Sequence, residues 1–279
     1  MLRLLQIEFI KLKNSKASKI LIIIYFLLLT SITLIAAIKF EIGPVDFHLA
    51  DQGIFNFPYI WHFNTFMAAW FKIFLLLVIV SMTANEYSNR TLKQNLIDGL
   101  SKKEFILSKF YMVVSFALIS TVFVFITSLV LGLIYSDFNE IGIILTDLEY
   151  LLAYFVKLVG FFSFGLFLGI LIKRSAFAVA TMFVWFAIEG IMYGVLSWQL
   201  KDIVSIKASQ IMQFFPLNAM FNLIEEPFRR LKAVKSIATQ LDTKLTYDYA
   251  VHWYEIAIVL VWTFLFIYFS YKLLKKRDL

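Results

Sequence analysis

One stretch of this chain, Tyr111–Tyr135, runs for twenty-five residues without a single Asp, Glu, Lys or Arg. At about 1.5 Å per helical residue that is long enough to cross the hydrocarbon of a bilayer with some tilt. Five more stretches of the same kind accompany it. They are 20–38, 66–84, 150–172, 175–198 and 251–271, broken only by Lys72, Lys157, Glu189 and Glu255. The chain is 61% hydrophobic and 16% charged, and its charges gather in the connections between these stretches. Backbone polar groups in lipid must be satisfied within the segment, so the stretches are helices. The expected fold is an all-α integral membrane protein of six transmembrane helices, forming a single transmembrane domain over residues 1–279.

Orientation follows from where Lys and Arg fall. Residues 1–19 hold five of them, residues 39–65 hold only Lys39, residues 85–110 hold five, and residues 136–149 hold none. Lys173 and Arg174 follow the fourth stretch, and Lys272, Lys275, Lys276 and Arg277 follow the last. Both termini are therefore expected in the cytoplasm of a multi-pass plasma-membrane protein. Residues 199–250 carry seven basic residues yet fall outside in this scheme, which long loops tolerate. The basic, apolar start is too long for a signal peptide and is kept as the first span. Cations placed beside spans face anionic headgroups, so no nucleic-acid partner is expected. Cysteine is absent, which excludes disulfides and thiol chemistry.

Two segments outside the spans carry their own patterning. Leu2, Leu5, Phe9 and Leu12 share one helical face, as in an amphipathic helix lying on the inner leaflet. Residues 85–110 are polar and helix-prone, with Gly99 as a stop and Ser101 with Glu104 as a new capped start. A short cytoplasmic helix is expected at about 88–98, with a surface suited to a partner.

On these residues the chain resembles the permease subunits of ABC-2-type transporters, bacterial exporters with six helices per permease. The matching positions are Glu86, Thr91-Leu92, Gly99, Ser101-Lys102, Phe105 and Lys109, while Arg90 replaces a common Gly and no Pro marks the turn at Gly99. The resemblance implies an N-terminal amphipathic interfacial helix and a coupling helix between spans two and three. It also implies short outer or re-entrant helices between spans five and six, where residues 211–230 hold Pro216 and Pro227. It further implies a second permease subunit, as homodimer or heterodimer, and a separate cytoplasmic ABC ATPase. ATP and Mg would be bound by that ATPase and no cofactor by this chain. The ATPase-coupling interface would be Glu86, Arg90, Thr91, Leu92, Lys93 and Gln94, with substrates among lipids, peptides, drugs, polysaccharides or ions.

The residues themselves supply no competing chemistry. No Gly-rich phosphate loop or nucleophile elbow occurs, and His48, His62 and His252 are scattered on the outer side, where isolated interfacial histidines are expected rather than a metal site. No catalytic residue is expected. Charge within spans is costly, about 2.5–3.5 kcal/mol for each residue. Lys72 and Lys157 either snorkel outward or face the interior, whereas the short side chain of Glu189 has to face the interior, in an ion pair with a lysine, protonated, or lining a substrate path. On that basis Glu189→Leu is compatible with a stabilised fold. Of two Gly-xxx-Gly pairs, Gly165/Gly169 is expected to pack within the bundle. The rival to a permease is a stand-alone secondary carrier or channel whose ion path is Glu189 and the two lysines.

Overall fold

The computed structural model describes residues 2–36, 39–42, 45–48, 52–89, 91–201, 207–231, 234–236, 240 and 247–277, with the backbone alone for residues 2, 32–36, 39–42 and 45–48. Apart from one hairpin, the described chain is a bundle of helices and short turns. Helix α1 (Leu2–Asn14) gives way to α2 (Lys16–Ala36) at Ser15, whose Oγ accepts the Ser18 backbone N–H at 3.2 Å and caps the new helix. Strands β1 (Lys39–Ile42) and β2 (Val45–His48) pair antiparallel. Then come α3 (Tyr59–Trp70), α4 (Lys72–Ser88), α5 (Thr91–Ile97), α6 (Lys102–Tyr135) and α7 (Ile141–Ile144). The chain closes with α8 (Glu149–Ile172), α9 (Ser175–Gln199), α10 (Ala208–Met212), α11 (Pro216–Asn222) and α12 (Trp253–Lys275).

Among the described residues four segments are long and apolar enough to cross a bilayer: Lys102–Tyr135, Ile141–Ile172, Ser175–Gln199 and Trp253–Lys275. The α3–α4 pair makes a fifth if counted as one bent span. It starts and ends beyond the predicted 66–84 stretch and bends by 44° at Phe71. No Pro or Gly announces that break. It is made locally, by the Phe71 N–H bonding the Ala68 carbonyl three residues back instead of four. The predicted first span corresponds to α2, a helix of 21 residues.

Helix α8 is the hub. It packs against α12, α4, α6 and α9, and Tyr154, Leu158, Phe162, Leu166 and Ile170 are buried around it. Gly160 and Gly165 make that possible, because a methyl on Gly160 would overlap Val259 of α12 and one on Gly165 would overlap Leu76 of α4. The Gly165/Gly169 pair thus packs inside the bundle, as expected. Helix α9 is the opposite case. It buries only Ala178, Met182 and Glu189, and Gly190 and Gly194 face open space.

The bundle has two distinguishable ends. At the near end, Arg277 Nη1 donates to the Ile170 carbonyl at 2.6 Å and Lys102 Nζ to the Arg277 carbonyl at 2.8 Å. At the far end, Trp61 Nε1 donates to the Ile144 carbonyl at 2.9 Å, and Tyr150 Oη to the Tyr249 carbonyl at 2.6 Å. Helix α1, the end of α12 and the α4–α5–α6 connection lie at the near end.

Candidate functional site

The near-end connection is built much as its sequence suggests. Gly99 has φ +97°, and the Leu100 and Gly99 N–H groups return to the Asn95 and Leu96 carbonyls at 3.0 and 3.2 Å. That paired closure satisfies carbonyls at the end of α5, and only glycine adopts the required backbone without strain. One residue on, Ser101 Oγ accepts the Glu104 N–H at 3.2 Å while Glu104 Oε2 accepts the Ser101 N–H at 2.9 Å. This reciprocal cap starts α6. Helix α5 is shorter than the expected 88–98, because α4 continues through Ser88 and the Asn89 N–H still bonds Asn85 at 2.8 Å.

The structure divides the six residues assigned to this contact. Thr91, Lys93 and Gln94 are exposed on α5, together with Ile97, which is 70% exposed. Leu92 is 2% exposed and cannot be a surface contact; it is the residue that anchors α5 to the core. Glu86 is also buried, and Arg90 lies outside the described residues. Ile97 escaped the sequence reading, although an isoleucine in the last turn of a polar helix, on no core-facing stripe, is a legible signal.

Beneath α5 lies a balanced cluster of charge. Lys109 Nζ of α6 contacts Glu8 Oε2 at 2.6 Å and also Glu86 Oε1, and Lys11 Nζ reaches the same Glu86 oxygen at 3.0 Å and Glu8 at 3.5 Å. Asn95 of α5 donates to Glu86 Oε2 at 3.2 Å, and Ser108 donates to Glu8 at 3.2 Å. Two acids and two bases therefore tie α1, α4, α5 and α6 together. Burial pushes the Glu8 carboxyl up, but the ammonium charges of Lys109 and Lys11 and the Ser108 hydroxyl outweigh it and hold Glu8 below the ordinary carboxylate range. A recess of about 190 Å³ opens beside the cluster, between Arg3, Leu4 and Ile7 on one side and Asn95 and Asp98 on the other.

Glu8 was not singled out from sequence, yet it is the lone acid among the first nineteen residues and sits three before Lys11. Glu8 points inward against α6, while Phe9 and Ile10 are exposed. Of the stripe expected to face the inner leaflet, Leu5 and Leu12 pack against the bundle core and Phe9 is exposed.

Glu189 is buried, but no lysine meets it among the described residues. Its carboxylate accepts four hydrogen bonds, from Trp185 Nε1 at 2.7 Å, Leu217 N–H at 3.2 Å, and Asn218 N–H and Nδ2 at 2.9 and 2.8 Å. The ion-pair expectation with Lys72 or Lys157 is thus replaced by a helix cap. The orphan amides opening α11 donate to the carboxylate, which ties α11 to α9.

Lys72 and Lys157 do not snorkel. They are 7% and 2% exposed, and both sit against the Phe221 ring of α11. His62, expected to be an isolated interfacial residue, is fully buried. It stacks on Tyr150 with centroids 4.3 Å apart, its Nε2 meets the Glu225 carbonyl at 2.9 Å, and its Nδ1 meets Arg230 Nη1 at 3.1 Å. The carbonyl can only accept, so Nε2 carries the proton and Nδ1 accepts from the guanidinium. These long-range partners left no trace in local sequence.

A hub helix, a broken span and a keyed helix at the near end define a polytopic membrane component. The chain belongs to the ABC-2 family transporter proteins, whose family model matches residues 4–189. It is thus the membrane subunit of an ABC transporter. A search among curated proteins finds no match.

Proposed function

We propose that this chain is the permease subunit of a bacterial exporter, a single permease domain over residues 1–279 working with a second permease and a separate cytoplasmic ATPase. ATP and Mg are bound and used in that partner. In this reading α2, the α3–α4 pair, α6, α8, α9 and α12 are six spans of the plasma membrane, and the near end with both termini is cytoplasmic. Helix α1 is the interfacial helix, α5 is the coupling helix, and α10 and α11 are the outer or re-entrant pieces between spans five and six.

One observation carries the reading. Helix α5 turns Thr91, Lys93, Gln94 and Ile97 outward while Leu92 and Asn95 fix its inner side to the core and to Glu86. A packed helix seated on buried charge resists deformation, so force applied to its outer face moves α1, α4 and α6 with it. Lys93, with Arg90 beside it in sequence, suits an acidic cleft on the ATPase.

The test is co-purification of the chain with a P-loop ATPase, followed by Arg90→Glu with Lys93→Glu. ATPase retention, its stimulation and substrate efflux should all fall while membrane insertion is unchanged. Full retention, stimulation and efflux in the double variant would remove α5 from the coupling role. If no ATPase associates with the wild type, a stand-alone carrier replaces the permease.

A further inference from the structure

Two cations are buried side by side in the bundle with no acid to match them among the described residues. Lys72 Nζ lies 4.7 Å from the centre of the Phe161 ring and 4.9 Å from that of Phe221, and Lys157 Nζ lies 5.8 Å from the same Phe221 centre. An ammonium has three hydrogens to donate. Lys157 places one on the Phe221 carbonyl at 3.3 Å, and Lys72 has no hydrogen-bond acceptor among the described residues. Neither forms an ion pair with a described carboxylate. Glu255, in the first turn of α12, makes no contact with either ammonium.

Lys72 is the first residue of α4, at the 44° break where α3 also ends, so helix ends of opposite sign meet there and the positive charge at this place is that of the two ammoniums. Phe221, which roofs both lysines, is 42% exposed and also walls a groove of about 510 Å³ between α9 and α11. Its lining includes Phe186, Tyr193 and Met212, with Asn222 and two acids, Glu189 and Glu225. Glu189 is already occupied by four donors, which leaves Glu225 as the acid a ligand would have to pass.

We propose that Lys72 and Lys157 bind the anionic headgroup of a membrane amphiphile, with Phe221 as the movable wall between them and an aromatic groove that takes its apolar part. This deepens the permease reading and rests on it, by naming the class of substrate as an anionic lipid-like molecule. The positive charge supplies the preference for an anion, and the rings and the depth in the bundle supply the preference for an amphiphile over a free ion.

The experiment places the full chain with its ATPase in nanodiscs of mixed phosphatidylglycerol and phosphatidylcholine. Retained lipid is counted by native mass spectrometry. Wild type should keep phosphatidylglycerol over phosphatidylcholine by about tenfold, the order that a set of charge-assisted contacts supplies. Lys72→Gln with Lys157→Gln should bring the ratio near unity, and Lys72→Arg with Lys157→Arg should preserve it. Should the double Gln variant fail to assemble, the two single Gln variants are read instead, and each should lower the ratio. Equal retention of the two lipids by wild type, or an undiminished ratio in the Gln variants, overturns the site. Displacement of phosphatidylglycerol by excess inorganic phosphate overturns the amphiphile and leaves a simple anion site. ATPase retention is scored in the same samples. A failed lipid preference with the ATPase still bound therefore rejects this site alone, whereas loss of the ATPase from wild type rejects the permease.

Discussion

Charge is buried in this protein in two ways, and the two regions differ in whether it is balanced. At the near end Glu8, Glu86, Lys11 and Lys109 meet in hydrogen-bonding contact, and Asn95 and Ser108 use further carboxylate lone pairs. Deeper in the bundle Lys72 and Lys157 lie against phenylalanine rings, with one backbone carbonyl between them. A closed cluster holds helices in fixed relation and has no capacity left for a ligand. An open pair of like charges adds little to the fold and retains its capacity for an anion. Glu189 belongs with the first kind, since amides and an indole saturate it.

Removing one member of the balanced cluster should give the largest effect. Lys109→Met leaves Glu8 and Glu86 facing each other with only the partly exposed Lys11 as cation. A loss of about 3–5 kcal/mol is expected, as for a buried pair deprived of one partner. Thermal unfolding in detergent measures it, and Lys109→Met combined with Glu8→Gln and Glu86→Gln should recover most of the loss. If the single variant unfolds like wild type, the cluster does not brace the near end.

A smaller effect is expected at Glu189. Sequence alone allowed Glu189→Leu to stabilise the fold, but leucine would strand the Leu217 and Asn218 amides and the Trp185 indole N–H. The loss should be about 1–3 kcal/mol, with Glu189→Gln milder because its carbonyl still accepts. Unfolding midpoints of the two variants measured side by side decide this, and a Leu variant as stable as the Gln variant would show that the cap of α11 is dispensable.

The smallest effect on stability should come from the lysine pair. Lys72→Gln with Lys157→Gln should stay within about 1 kcal/mol of wild type or exceed it, since it removes buried charge that no described carboxylate compensates. A destabilisation as large as that of Lys109→Met would mean that the pair braces the fold as the near-end cluster does, and the contrast between the regions would disappear.

Hydropathy made the membrane segments legible because the cost of burying charge in lipid acts on every residue of a span alike. The stop at Gly99 and the start at Ser101–Glu104 were legible for a related reason: helix ends are satisfied by residues within a few positions of them. Local composition could not show that Leu92 anchors α5 to the core, or that Phe71 breaks a span without Pro or Gly.

The sequence by itself determined that this is a helical, multi-pass chain, where most of its spans fall, and how its near-end connection turns. Only the tertiary structure decided what the buried charges do. Glu8 meets Lys109 across 101 positions, and Glu189 meets Asn218 across 29. Lys157 meets Phe221 across 64. Hydropathy and capping are sums over neighbours in sequence, whereas the partner of a buried charge depends on which helices pack together. That packing is set in turn by the glycines of α8 and the side chains they admit.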